Sequence, residues 1–156
     1  MASADYEARL QALRFEIQAA EGAPFSIEQE LTGLLNEGGP DLAADLLLSL
    51  SDGAHSGAMY ALVHAAESLD RSPYRSHISA VLSILPRLFE TAPNWALEVL
   101  RRIMHADASL RELVRQLRGA PAPIKETVRN ICTLNYAISP DYMPETVKAQ
   151  VARAAS

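Results

Sequence analysis

The sequence predicts an all-α protein. Apolar residues recur at helical spacing from end to end. No stretch alternates apolar and polar residues long enough for a strand, and proline, glycine and small polar residues punctuate the chain as short loops require. Hydrophobic residues make up 49% of the 156 residues and charged residues 21%, an ordinary globular composition. A chain of this length buries enough surface to fold without a metal or disulfide staple. The single cysteine, Cys132, cannot form an internal disulfide and points to a reducing compartment.

Tyr6, Leu10, Leu13 and Ile17, at i, i+4, i+7 and i+11, mark a first helix. Ile27, Leu31, Leu34 and Leu35 mark a second, with Ser26 and Gln29 as a capping box. Gly38, Gly39 and Pro40 break the chain. Leu42, Leu46, Leu47 and Leu50 then mark a third helix, closed by Asp52 and Gly53. Met59, Leu62, Val63 and Ala66 mark a fourth. Ser72 and Pro73 predict the N-cap and first residue of a fifth, with Tyr74, Ile78, Val81, Leu82 and Leu85 on its apolar face. Pro86 lacks an N–H and predicts a kink or restart.

Thr91 and Pro93 open a sixth helix through Met104. Asp107 caps a seventh that carries Leu110, Leu113, Val114 and Leu117 and ends at Gly119. Pro121 and Pro123 start an eighth with Ile124, Val128 and Ile131 inward, and Pro144 starts a last one with Val147 and Val151. Eight or nine helices with short loops imply antiparallel neighbours in a single domain over residues 1–156. Helix pairs recurring at about 35–40 residues fall in the range of HEAT-type arrays. Weak internal identity favours a compact HEAT-like α-α superhelix over a long regular solenoid.

Several function classes lack their residues. Residues 1–8 have neither the basic start nor the apolar core of a secretory signal. The longest apolar runs, near Leu46–Leu48 and Ala80–Leu82, are far short of the ~20 residues a membrane helix needs. The expectation is a soluble cytoplasmic protein with no membrane partner. No glycine loop is followed by Lys-Ser/Thr, and Ser51-Asp52-Gly53 reads as a helix stop rather than a nucleophile elbow. His64 and Glu67, at i, i+3, could face one metal, but zinc wants three or four ligands; His105 and Asp107 read as helix-end residues. Cys132 reads as a small buried hydrophobe. Aromatics are 6% and do not alternate with basic residues, so no nucleic-acid platform is expected. Neither a cofactor nor an assembled catalytic constellation is implied, and the chain is read as a non-enzyme.

Charge carries the strongest asymmetry. The formal net charge is −5, yet residues 1–70 hold twelve acids and two bases while residues 71–156 hold seven acids and twelve bases. Asp41, Asp45 and Asp52, at i, i+4, i+11, fall within about 40° of each other on a helix, with Glu28, Glu30 and Glu37 just upstream. An acidic ridge on the third helix either keeps the protein soluble or docks a basic partner. Arg111, Arg115 and Arg118 form a second stripe on the seventh helix, expected to pair with acids of neighbouring helices.

The middle of the chain carries more than periodicity. The run from Met59 through Tyr60, His64 and Glu67 to Ser68 is followed by Tyr74, then Leu85-Pro86, then Ala92-Pro93-Asn94-Trp95-Ala96, then Leu100-Arg101-Arg102-Ile103. This series resembles the bacterial immunity protein 30 family, small all-α proteins encoded beside polymorphic or contact-dependent toxins. The resemblance covers about residues 55–135, with little from the first fifty residues or the tail after Ser139. His105 stands where the pattern suggests asparagine; either serves a helix end. The resemblance implies an immunity protein that binds and neutralises a cognate toxin C-terminal domain, often a nuclease. The alternative is a HEAT-like interaction scaffold with no toxin partner.

Read as residues, Trp95 is expected to anchor the core. Tyr60 and Tyr74 are expected to bury their rings, and His64 with Glu67 to form a buried hydrogen-bonded pair. The expected docking surface is Glu37, Asp41, Asp45 and Asp52, extended by Glu67 and Asp70 if the fourth helix flanks the ridge.

Overall fold

The computed structural model describes residues 2–19, 24–70, 72, 74–133 and 143–156, without the side chains of residues 24–26. Among these residues there are nine helices and no strand, so the all-α expectation holds. None of the nine is long and apolar enough to cross a membrane. They group into two compact units, Met1–Leu69 and Asp70–Ser156.

The first unit contains α1 (Ala4–Gln18), α2 (Pro24–Glu37), α3 (Leu42–Leu48) and α4 (Ser56–Ser68). Helix α1 packs on α2, α3 on α4, and α2 on α4. The stripe read from α1 is the buried one: Tyr6, Leu10, Leu13 and Ile17. It meets Ile27, Leu31 and Leu34 of α2, while Leu42, Leu46 and Leu47 of α3 lie under Met59, Leu62, Val63 and Ala66 of α4. Ser3 starts α1 by accepting the Tyr6 N–H at 3.1 Å. Helix α4 starts differently, its N-cap being His55, whose Nδ1 accepts the Gly57 N–H at 3.2 Å. Between α2 and α3 the chain turns through Gly38 at φ 66° and Gly39 at φ 133°. A side chain would be strained at both positions, which is why two glycines stand there.

The second unit contains α5 (Arg75–Thr91), α6 (Pro93–Met104), α7 (Asp107–Arg118), α8 (Ala122–Thr133) and α9 (Glu145–Ala154). Helix α5 is its centre, packing on α6, α7 and α8, while α9 closes over α7 and α8. Ile78, Val81, Leu82, Leu85 and Leu88 supply the buried face of α5, and Trp95, Val99, Leu100 and Ile103 that of α6. Trp95 is buried, as expected. The α6–α7 corner is fixed by the Ser109 hydroxyl, which donates to the Ile103 carbonyl at 2.6 Å.

Several helix ends differ from the sequence expectation. Helix α3 is only seven residues long and ends at Leu48, so Asp52 lies in the turn beyond it. Pro86 sits inside α5 without ending it. The buried apolar residues on both sides of the proline outweigh one missing backbone hydrogen bond. Helix α5 begins at Arg75 rather than at residue 73, which lies outside the described residues. Its N-cap is Tyr74, left-handed at φ 65° and exposed, not on the apolar face. Asp107 is the first helical residue of α7 and makes no side-chain cap; Ala106 holds the cap position. His105 takes the C-cap position of α6. Ile124 and Val147 are half-buried rather than fully inward. The Ser26 half of the proposed capping box lies outside the described side chains.

Candidate functional site

The N-terminal turns of α1 and the α2–α3 turn enclose a cleft of about 700 Å³ in the first unit. Asp5 and Glu7 come from the first turn of α1, where the positive end of the helix dipole favours carboxylates. Glu37 ends α2, Asp41 is the N-cap of α3, and Asp45 lies one turn on. Among the described residues the cleft wall therefore carries five carboxylates and no cation.

Two of the five are tied down. The Tyr6 phenol, buried at the base of α1, donates to Asp45 Oδ2 at 2.6 Å. Burial raises the Tyr6 pKa far above its ordinary value, and the Asp45 carboxylate adds to the rise as hydrogen-bond partner and as charge. The phenol is a fixed donor at neutral pH. Glu37 accepts from Arg9 Nε at 3.0 Å, and the Arg9 guanidinium also lies 3.9 Å from Glu30. Arg9 reaches both by crossing Gly33, where an added Cβ would stand 2.5 Å from its Nη1. Asp41 caps α3 by position only, making no side-chain hydrogen bond to the helix. With Asp5 and Glu7 it presents the cleft's loosely held charge.

Of the six residues expected to form the docking surface, the cleft brings together Glu37, Asp41 and Asp45. Asp52 is not on their helix, because the phasing that aligned it with Asp45 ran past the end of α3. Glu67 is half-buried on α4. Asp70 belongs to the second unit, and its carboxylate accepts the Ser72 N–H at 3.0 Å and the His77 N–H at 3.1 Å. It thereby holds the first turn of α5. The sequence reading missed Asp5, Tyr6 and Glu7. First-turn acids were the available signal for two of them; nothing in one sequence pairs residue 6 with residue 45.

The remaining candidates sort by burial. His64 is exposed, with its ring 6.3 Å from that of Tyr60, so it is not half of a buried pair. Tyr60 and Tyr74 are 37% and 43% exposed, against the expectation that their rings are buried. Each stands on the outward side of its helix start or helix face. Burial pushes the Cys132 thiol up to about 11, partly offset by Lys148, so it is protonated at neutral pH. Among the described residues no three of His, Cys, Asp and Glu group as metal ligands. On α7, Arg115 pairs with Glu112 of its own helix at 2.5 Å rather than with a neighbouring helix.

Against known families, the model described as immunity protein 30 matches residues 19–113. The chain belongs to the immunity protein 30 family. No curated protein and no solved structure matches it. As an immunity protein of a toxin system, it has a cognate toxin protein as its partner. The family is generally non-enzymatic. The match starts earlier than the short motifs in the middle of the chain implied and stops at residue 113. It takes in the Glu37, Asp41 and Asp45 side of the cleft, while Asp5, Tyr6 and Glu7 precede it.

Proposed function

We propose that this immunity protein neutralises its cognate toxin by receiving a basic surface of the toxin C-terminal domain in the acidic cleft of its first unit. One observation carries this reading: five carboxylates line one cleft in a unit with eleven acids and two bases. Such a field speeds encounter with a cationic partner, toward 10⁸–10⁹ M⁻¹s⁻¹ at low salt by order of magnitude. A nuclease is the toxin class that suits it, because an enzyme that grips nucleic acid exposes cations at its site. An acidic cleft laid over those cations competes with the phosphate backbone. The encounter is placed in the cytoplasm, where a delivered nuclease of a contact-dependent or polymorphic system meets its substrate.

The test is association kinetics with the toxin domain encoded by the adjacent reading frame. The double variant Asp5→Lys/Asp41→Lys reverses two loosely held charges and leaves the Tyr6–Asp45 bond in place. Its association rate is expected to fall by about tenfold or more at low salt and to lose most of its salt dependence. An unchanged rate sinks the cleft assignment. Rescue of growth on co-expression tests the immunity role separately.

A further inference from the structure

We propose that a basic pocket in the second unit binds a small phosphate-class anion. Arg118 at the end of α7, Lys125 in α8 and Arg153 in α9 surround a cavity of about 370 Å³, with Gln150 and Ser156 completing its polar wall. Among the described residues no Asp or Glu lines it. The pocket lies beyond residue 113, outside the stretch that carries family membership.

The sequence explains why these three cations stay without carboxylate partners on their own helices. Arg101, Arg115 and Lys148 each have a glutamate three residues earlier, and each is ion-paired to it. Three residues before Arg118, Lys125 and Arg153 stand Arg115, Ala122 and Gln150; four before stand Val114, Pro121 and Ala149. No acid follows them at these spacings either. The second unit thus neutralises one set of cations locally and gathers another around a cavity.

The pocket is also held in shape. Lys125 Nζ donates to the Ser156 carbonyl at 3.3 Å, and Arg129 Nη1 donates to the Ala155 carbonyl at 2.7 Å, fixing the end of α9 on α8. Three side-chain cations around one cavity, with no Asp or Glu among its described lining residues, favour an anion there. Guanidinium forks match phosphate oxygens in geometry and make strong charge-assisted bonds. The volume, many times the roughly 30 Å³ share of one water, admits a phosphate with a small group attached.

Calorimetric titration at pH 8 and constant ionic strength tests this, with inorganic phosphate and adenosine monophosphate as probes and chloride as the balancing ion. Saturable one-to-one binding is expected. Arg118→Gln and Arg153→Gln should each weaken it about tenfold, while Arg111→Gln, exposed on the same helix but outside the wall, should change it less than about twofold. Tighter binding of the nucleotide assigns a phosphorylated small molecule, and equal binding assigns free phosphate; either supports the pocket. Three results overturn the proposal. These are an absence of saturable heat, an equal loss in Arg111→Gln, or displacement of phosphate by an oligonucleotide lacking terminal phosphates at comparable concentration.

Discussion

Tyr6 and Asp45 are 39 residues apart in sequence, and the phenol of one donates to the carboxylate of the other at 2.6 Å. The bond ties α1 to α3 at the floor of the acidic cleft. It gives Asp45 a structural duty that Asp5 and Asp41 do not share, and it sets the cleft's shape from below. Tyr6→Phe removes the donor, leaves a half-buried carboxylate without that partner, and should lower stability by about 2 kcal/mol in chemical denaturation.

The same residue fixes a pH dependence. The phenol's folded pKa lies above its ordinary 10.0, chiefly through burial, so the folded state holds this proton more tightly than the unfolded chain does. The contribution is therefore fully present below pH 10 and is lost as pH rises above it. The stability difference between wild type and Tyr6→Phe should shrink as pH is raised from 9 through 11. A difference that stays flat over that range would refute the proton assignment.

Asp70 bears on the second unit. Its two oxygens take backbone N–H groups of Ser72 and of His77, the latter in the first turn of α5. Asp70→Ala should cost about 1 kcal/mol by loss of this cap, read as a lower denaturation midpoint with unchanged slope. Asp70→Asn should recover part of the loss, because an amide oxygen still accepts.

Tyr74 holds a left-handed backbone at φ 65° with an exposed ring. Removing the ring does not remove the strain, since any Cβ meets it. Tyr74→Gly should therefore be more stable than Tyr74→Ala by about 1 kcal/mol, measured in the same denaturant series. Equal stability would show that the surrounding turn adjusts at no cost.

The helical skeleton was legible because it rests on local rules. Periodicity found the buried stripes of α1, α4 and α7, Gly38-Gly39 marked the turn before α3, and Pro121 with Pro123 marked the start of α8. The charge split near residue 70 also proved structural, since it falls within one residue of the boundary between the two units. What escaped was non-local. Whether α3 reaches residue 52 depends on how Leu46, Leu47 and Leu50 pack, not on the spacing of its aspartates. Pro86 alone leaves a kink and a restart both open, and the burial of Leu82, Leu85 and Leu88 on one continuous helix decides against the restart. The cleft joins residues 5–7 to residues 37–45 only through the packing of α1 on α2.

Glu112 shows how a surface charge can join helices. Its carboxylate accepts from Arg115 Nε at 2.8 Å and from Gln116 Nε2 at 2.8 Å, and the same Gln116 amide donates to the Arg75 carbonyl at 3.0 Å. The glutamate thereby orients the amide that links α7 to the start of α5. The hydrogen bond from Arg115, then that from Gln116, hold the Glu112 pKa down to about 2. A depressed acid stabilises the fold above its unfolded pKa, and that contribution is lost as pH falls toward the folded value. Carbon-detected NMR should therefore find Glu112 still ionised at pH 3.5, where an ordinary glutamate is mostly protonated. In Glu112→Gln the Gln116 side-chain amide should lose its resolved proton resonances while the helix content stays unchanged. Titration of Glu112 near pH 4.5 in the wild type would sink the assignment of this network.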